Sequence, residues 1–285
     1  MMGNQAAIYR WLGIVLMAGC FAKPAVSSSQ PPAYEVYAVR YAMLLNYPTR
    51  ELIADVDSSR RTDLAMTVWL LRGPSQRTVL VDAGFYREEF IRDNKPTDFH
   101  RPSEVLDSLR VSPASVTDII ISHVHWDHLD GADLFPNARV WIQRAEYDYY
   151  VGPKGEALHD DISPVDAAML GTMRRAGRVQ LVDGDDQEII PGIRVFTGGR
   201  HTYASQYAAV NTRAGTVVIA SDNAYLYENL DRHVPIGTTF DAKANLGAQD
   251  RMGRLAAATR LIVPGHDPAV FTRFPAVQKD VVRID

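Results

Sequence analysis

Residues 122–128 read Ser122-His123-Val124-His125-Trp126-Asp127-His128 and place three imidazoles and one carboxylate within six consecutive positions. The preceding residues, 118–122, form a short apolar and β-branched run that predicts a buried strand. The following residues, 129–136, end at a proline and predict a short helical turn. The histidine-rich segment is therefore expected on a strand-to-helix loop, where several side chains can point to one place.

The donors in this segment are those of a divalent metal site. Neutral imidazole and carboxylate are common ligands of zinc and similar ions. Four donors exceed what one open catalytic ion usually takes from a single segment, so two neighbouring ions are indicated. A solvated histidine-rich loop is the alternative. The composition speaks against it, because the chain has only eight histidines and three stand here, directly after an apolar strand.

The first 27 residues predict a secretory signal peptide. Arg10 is followed by an uncharged and largely apolar run, 11–19, which is too short to span a membrane. Two cleavage sites are compatible with the pattern. Ala25-Val26-Ser27 suits an ordinary signal peptidase, whereas Met17-Ala18-Gly19-Cys20 resembles a bacterial lipobox. Both predict an exported protein, periplasmic or secreted, which contacts a membrane only through a possible lipid at Cys20.

Residues 28–33 predict a short linker, and residues 34–285 predict one α/β domain with a large core. Cys20 is the only cysteine, so the predicted domain has no disulfide and no thiol ligand or nucleophile. The net charge is −4, with 30 basic and 34 acidic residues intermixed. No basic stripe indicates nucleic-acid binding. The sequence makes no prediction of oligomeric state.

The remaining pattern predicts two sets of strands, each followed by helices. The predicted strands cover residues 34–41, 66–71, 78–81, 138–143, 179–182, 193–197, 208–211, 216–220 and 261–263. The predicted helices cover residues 103–109, 144–150, 163–176 and 248–259. Two β-rich halves of this kind predict two sheets packed face to face, with helices outside.

Three more candidate ligands each stand just past a predicted strand. His201 follows 193–197, Asp222 follows 216–220 and His266 follows 261–263. All three share the placement of the first segment, a donor delivered at the edge of a sheet. The other histidines lack this context and are expected at the surface: His100, His159 and His233.

Asp82 ends the predicted strand 78–81 and precedes Ala83-Gly84. It could orient one of the ligating histidines through a hydrogen bond. It could equally cap the turn that follows the strand. The sequence leaves both interpretations open.

Together these residues resemble the signature of the metallo-β-lactamase superfamily, over essentially the whole predicted domain. The resemblance implies that family's αββα sandwich, with two mixed sheets, and two divalent metal ions, expected to be Zn²⁺. The implied ligands of the first ion are His123, His125 and His201. Those of the second are Asp127, His128 and His266, with Asp222 bridging both ions. In one respect the chain departs from the family: Thr197-Gly198-Gly199-Arg200-His201 stands in place of Thr-Pro-Gly-His. The extra residue leaves the shape of this loop open.

Within the superfamily the chain is most similar to the N-acyl homoserine lactone lactonases. The similarity lies in Gln143-Arg144-Ala145-Glu146-Tyr147 and in Asp222-Asn223-Ala224-Tyr225. It implies a dinuclear hydrolase that opens a lactone ring by attack of a metal-bridging hydroxide. Tyr225 would stabilise the developing oxyanion, and Asp127 would carry a proton to the leaving group. Tyr225 could instead be an ordinary half-buried aromatic residue.

Two other functions stay open. A secreted phosphotriesterase, or another ester hydrolase of the same superfamily, would use the same seven ligands. A non-enzymatic metal-binding protein would need only the ligands. The β-lactamases of the family fit less well, because they lack the bridging aspartate and often use a cysteine at the second metal. No Gly-x-Ser-x-Gly occurs, so nothing indicates a serine nucleophile.

Overall fold

A computed structural model describes residues 1–3 and 31–285 and places thirteen strands of that region in two sheets. In chain order the strands are β1 (Glu35–Pro48), β2 (Arg61–Arg72), β3 (Thr78–Val81), β4 (Asp118–Ile120), β5 (Arg139–Gln143), β6 (Val179–Val182), β7 (Gln187–Ile190), β8 (Ile193–Thr197), β9 (Gln206–Thr212), β10 (Gly215–Ser221), β11 (Ile262–Pro264), β12 (Ala276–Gln278) and β13 (Val281–Arg283). The α-helices of the described region are α1 (Glu88–Asn94), α2 (Pro102–Asp107), α3 (Trp126–Leu129), α4 (Arg144–Tyr150), α5 (Pro164–Arg175), α6 (Tyr227–Arg232), α7 (Ala242–Leu255) and α8 (Val270–Arg273).

Both sheets are mixed. The larger has the order β12-β13-β1-β2-β3-β4-β5-β6, and the smaller has the order β11-β10-β9-β8-β7. In the larger sheet the pairs from β3 to β6 are parallel and the others are antiparallel. In the smaller sheet only β10 and β11 are parallel. The order confirms the two mixed sheets that were predicted.

Side-chain alternation along β3 shows how the layers form. Val79 and Val81 are buried between the sheets, in the cluster that also contains Val217 of β10. Leu80, between them, faces the opposite way and packs in a second cluster with Leu170 of α5. Successive side chains of a strand point to opposite faces, so an entirely apolar strand needs cover on both sides.

The outer face of the smaller sheet is covered in the same way. Val218 of β10 lies in a third buried cluster with Ala248 and Met252 of α7. The layers are therefore helix, sheet, sheet and helix, and the predicted αββα sandwich is confirmed.

Several elements differ in extent from the prediction. β1 runs to Pro48 rather than to residue 41, because its second half continues to pair with β2 across two irregularities in register. Helix α7 covers Ala242–Leu255 rather than 248–259. Its first turn is stabilised by the side chain of Asp241, which accepts a hydrogen bond from the backbone N–H of Ala244. The helical turn predicted at 129–136 begins earlier, with α3, and continues as a 3₁₀ turn.

Some short elements were not predicted at all. Strand β13 pairs with β1, with Tyr37 opposite Arg283, so its partner is almost the whole chain away in sequence. Strand β7 is half polar and owes its conformation to the hairpin with β8. Pairing of this kind overrides the weak local preference of a short segment.

Pro31–Asp285 form one compact unit. The side chain of Asn211 donates hydrogen bonds to the carbonyls of Pro31 and Pro32, so the end of the predicted linker contacts β9. The predicted leader covers residues 1–27. Apart from its first three residues, it lies outside the described residues, and so does Cys20. Within the described ranges, no helix has the length and apolar character to cross a membrane.

Candidate metal centre

The seven predicted ligands meet at one edge of the sandwich. The segment 123–128 follows β4, and its last three residues begin helix α3. His201, Asp222 and His266 follow β8, β10 and β11, which run in the same direction in the smaller sheet. Strand ends from both sheets therefore deliver their side chains to the same place.

The ligands form two clusters, and in each the donor atoms lie within 4.8 Å of one another. The first cluster is His123, His125, His201 and Asp222, and the second cluster is Asp127, His128 and His266. In the first, Nδ1 of His125 lies 3.0 Å from Nε2 of His123 and 3.0 Å from Nε2 of His201. In the second, the Nε2 atoms of His128 and His266 are 3.4 Å apart.

Asp222 faces both clusters with different oxygens. Its Oδ2 lies 3.7 Å from Nε2 of His123 and 3.4 Å from Nε2 of His201. Its Oδ1 lies 3.3 Å from Nε2 of His128 and 3.0 Å from Nε2 of His266. Asp222 is 3 % exposed, and Oδ1 accepts no hydrogen bond from the described residues. A buried carboxylate oxygen of this kind suits a metal ligand, because it is costly to leave unpaired.

Hydrogen bonds on the far side of three rings direct the lone pairs into the clusters. Nδ1–H of His201 donates to the carbonyl of Thr238 at 3.0 Å, and Nδ1–H of His266 donates to that of Ala65 at 3.2 Å. Nδ1–H of His128 donates to Asp82 at 2.8 Å. A proton held on Nδ1 leaves Nε2 free to bind a metal.

Electrostatics of the two clusters differ. Burial and the neighbouring imidazoles lower the pKa of His123 well below its usual value, and the same causes lower that of His125 to about 3. In the second cluster burial acts in the same direction on His128. There, however, Asp127, Asp222 and Asp82 outweigh it and hold the pKa of His128 well above its usual value. The neutral imidazoles of the first cluster, together with the carboxylates of the second, which favour positive charge, fit the donor set of a dinuclear divalent metal site.

Asp82 takes the orienting position that the sequence left open. One of its oxygens accepts the hydrogen bond from His128, and the other accepts one from the backbone N–H of Ser122 at 2.8 Å. The hydroxyl of Ser122 lies 3.0 Å from Asp82 and 2.9 Å from Nδ1 of His123. Asp82 therefore contacts a histidine of the second cluster directly and one of the first cluster through Ser122.

Tyr225 lies beside the first cluster. Its phenol oxygen is 3.3 Å from Nε2 of His201, and the residue is 8 % exposed. Burial, and then the charge of Asp222, raises the pKa of Tyr225 well above its usual value. The phenol thus keeps its proton and can act as a hydrogen-bond donor in the site.

Glu146 connects the two ligand-bearing loops, a role that its sequence position alone did not predict. It is fully buried at the start of α4 and accepts hydrogen bonds from the backbone N–H groups of Val124, at 3.2 Å, and Ala204, at 2.6 Å. The hydroxyl of Thr202 donates a third, at 2.5 Å. Val124 separates two ligands of the first cluster, so Glu146 holds the loop of His125 against that of His201.

The longer loop before His201 adopts a tight conformation. Arg200 has a φ of +58°, in the left-handed region that non-glycine residues rarely adopt. The backbone N–H of Gly199 donates to Asn223 at 2.6 Å, and a β-carbon at Gly199 would lie 2.2 Å from Cα of Asn245. Glycine is thus required where the loop approaches its neighbours, and the extra residue still places His201 in the first cluster.

A cavity of about 520 Å³ opens onto both clusters. It reaches His125, His201, Asp222, Asp127 and His266, together with Tyr225. Its apolar wall, which could not be located in the sequence, consists of Leu44, Leu52, Leu64, Met66, Trp126 and Phe240. The three histidines expected at the surface, His100, His159 and His233, are indeed exposed.

A family profile described as Metallo-beta-lactamase superfamily matches residues 61–266. The chain belongs to this superfamily. An N-acyl homoserine lactonase of Bacillus cereus is 27 % identical over 220 residues, which cover 72 % of this chain and 82 % of that protein. One from a Bacillus species is 28 % identical over 175 residues, which cover 61 % of this chain. The match spans only 64 % of that second relative's length.

Solved structures of similar proteins show the same fold. A quorum-quenching N-acyl homoserine lactone lactonase superposes with a TM-score of 0.71 at 21 % identity, covering 87 % of this chain and 98 % of that one. AidC, a dizinc quorum-quenching lactonase in complex with a product, gives a TM-score of 0.62 at 15 % identity, covering 84 % and 90 %. At such identities these likenesses support the αββα fold of this superfamily member.

Proposed function

We propose that this protein is a dinuclear metal-dependent hydrolase that opens the ring of a lactone of the N-acyl homoserine lactone type. The observation that carries the proposal is Asp222, whose two oxygens face two separate clusters of metal-ligand type. N-acyl homoserine lactonases among the relatives support the substrate class. The apolar wall of the cavity suits an acyl chain.

The proposed ligands are those implied by the sequence. His123, His125 and His201 would hold the first ion, and Asp127, His128 and His266 the second, with Asp222 shared between them. Zinc is the proposed metal, because imidazole and carboxylate are its usual ligands in catalytic sites. When bound, two such ions lower the pKa of water toward neutrality and polarise a carbonyl group.

The chain's own groups would assist at both ends of the ester bond. The phenol of Tyr225 donates a hydrogen bond to the carbonyl oxygen, on which negative charge grows as the carbonyl carbon becomes tetrahedral. Oδ2 of Asp127 lies 3.4 Å from Nε2 of His128, in the second cluster. Its carboxylate would take a proton from the attacking water and deliver it to the departing alcohol oxygen.

A hydrolysis screen tests the proposal. Purified protein loaded with Zn²⁺ is offered lactones with and without an N-acyl chain, phosphotriesters and β-lactams. We expect turnover of the lactones, with a preference for those that carry an acyl chain. Turnover of phosphotriesters with no turnover of lactones would instead establish the phosphotriesterase alternative. No turnover of any of these substrates would favour a metal-binding protein without this activity.

Replacing Tyr225 by phenylalanine should lower lactone turnover roughly ten- to a hundredfold, less than the usual loss for an oxyanion donor because metal ions share the charge. The loss should appear mainly in kcat, with metal content unchanged, if the phenol helps the transition state more than the bound substrate. Tyr227→Phe is the matched control, since that phenol is buried without a hydrogen-bond partner in the described region and lies outside the cavity. Unchanged lactone turnover in Tyr225→Phe would remove the tyrosine from the mechanism.

We also propose that the protein is exported, with a mature domain covering residues 34–285. Its N-terminus should then lie near Ser28 or at a lipid-modified Cys20. N-terminal sequencing and membrane fractionation separate these two outcomes. Retention of Met1 on cytoplasmic protein would contradict both.

A further inference from the structure

A second phenol, that of Tyr47, lines the same cavity as the two clusters. Tyr47 lies near the end of β1 in the larger sheet, whereas Tyr225 follows β10 of the smaller sheet. The residue is partly buried, and its phenol has no hydrogen-bond partner among the described residues. A phenol in a binding cavity with no protein partner is available to a ligand.

An irregularity in β1 brings Tyr47 to the cavity. Leu44 is opposite Leu64 and Tyr47 is opposite Thr62, so three steps along β1 match two steps along β2. The extra residue lies near Asn46, whose φ is +58°. In a regular strand, residues three apart point to opposite faces. The bulge places Leu44 and Tyr47 on the same face, and both line the cavity.

The pairing of β1 with β2 places Tyr47 on the side of the second cluster. Tyr47 lies opposite Thr62, and further along β2 the carbonyl of Ala65 accepts the hydrogen bond from Nδ1–H of His266, a ligand of that cluster. Burial raises the pKa of Tyr47, and the carboxylates of Asp127, Glu51 and Asp222 raise it further, with Asp127 acting most strongly. Asp127 belongs to the second cluster, whereas the phenol of Tyr225 contacts His201 of the first. Tyr47 therefore stands on the strand pair that borders the second cluster, in the cavity that it shares with Tyr225.

We propose that Tyr47 donates a hydrogen bond to the alcohol-side oxygen of the scissile ester as that oxygen departs. This inference rests on the proposed ester or lactone hydrolysis. An oxygen of water forms a bond to the carbonyl carbon and loses a proton to Asp127. The bond from that carbon to the alcohol oxygen then breaks, and its electron pair stays on that oxygen. The oxygen receives the proton from Asp127, while Tyr47 keeps its own proton throughout.

The leaving group provides the test. A lactone releases an alkoxide, which gains strongly from a donor, whereas a phenyl ester with the same acyl chain releases a phenolate, which needs little help. Because a net hydrogen bond contributes about 0.5–1.5 kcal/mol, Tyr47→Phe should lower kcat/KM for the lactone by roughly two- to tenfold. For the phenyl ester the change should be much smaller. The matched control is Tyr149→Phe, a half-buried tyrosine outside the cavity.

A second measurement does not depend on turnover. The ring-opened product, N-hexanoyl homoserine, carries its new hydroxyl at the position of the leaving oxygen. Titration calorimetry on Zn²⁺-loaded protein should show weaker product binding to Tyr47→Phe than to wild type, with equal metal content and melting temperature.

Equal losses on the lactone and the phenyl ester would overturn the assignment to the leaving oxygen, and so would unchanged kinetics and product binding. In either case lactone turnover by the wild type would leave the proposed function intact. A wild-type protein without lactone turnover would overturn both.

Discussion

The Asp222→Ala variant is expected to lose at least one of two bound metal ions and nearly all hydrolytic activity. Wild-type protein should carry close to two equivalents of a divalent metal, one for each cluster of donors. Asp222 is the only proposed ligand with an oxygen toward each cluster. Because metal ions contribute several kcal/mol to stabilising a hydrolytic transition state, the loss of activity should exceed about 10³-fold.

Metal content is measured by atomic emission after gel filtration, and lactone turnover is measured on the same sample. Asp231→Ala on α6 is the matched control, because it removes an exposed carboxylate outside the cavity. Full metal content together with full activity in Asp222→Ala would show that Asp222 is not a ligand.

The Asp82→Ala variant is expected to lower both metal affinity and fold stability. Asp82 accepts hydrogen bonds from the backbone N–H and hydroxyl of Ser122 and from His128, all of them buried. Loss of a partner that orients a metal-bound histidine typically costs 10–100-fold in affinity, and we expect about that much for the second ion. Each buried donor left without an acceptor should add roughly 1–3 kcal/mol to the loss of stability.

Competition with a chelator measures the affinity, and denaturant unfolding of the metal-free protein measures the stability. Asp107→Ala, at an exposed position on α2, controls for the loss of one negative charge. If Asp82 only capped its own turn, stability would fall while metal affinity stayed at the wild-type value. Wild-type affinity and stability together would remove Asp82 from any role in the centre.

The layers of the fold could be predicted because the patterns that define them are local. β3 is entirely apolar over Val79–Val81, and such a strand needs cover on both faces. Short strands that pair with a strand distant in the sequence, such as β13 beside β1, have no comparable local pattern. Their conformation depends on pairing that the isolated segment cannot specify.

The cavity could not be predicted from the sequence for a similar reason. Leu44, Leu64 and Phe240 come from separate parts of the chain, and apolar residues of a wall look like apolar residues of a core. Tyr47 reaches the cavity only because a bulge shifts the alternation of β1, and a bulge of this kind has no strong sequence pattern.

The sequence by itself determined the chemistry of the centre. Four donors in residues 123–128, and single donors just past three later strands, specified the metal-ligand residue types and the sheet edge that presents them. Only the tertiary structure decided how those donors are arranged: Asp222 between two clusters, Asp82 behind His128, and Glu146 between the loops of His125 and His201. The reason is physical, since residue type and spacing fix what a side chain can donate, whereas its direction and its partners depend on the packing of strands far apart in the chain.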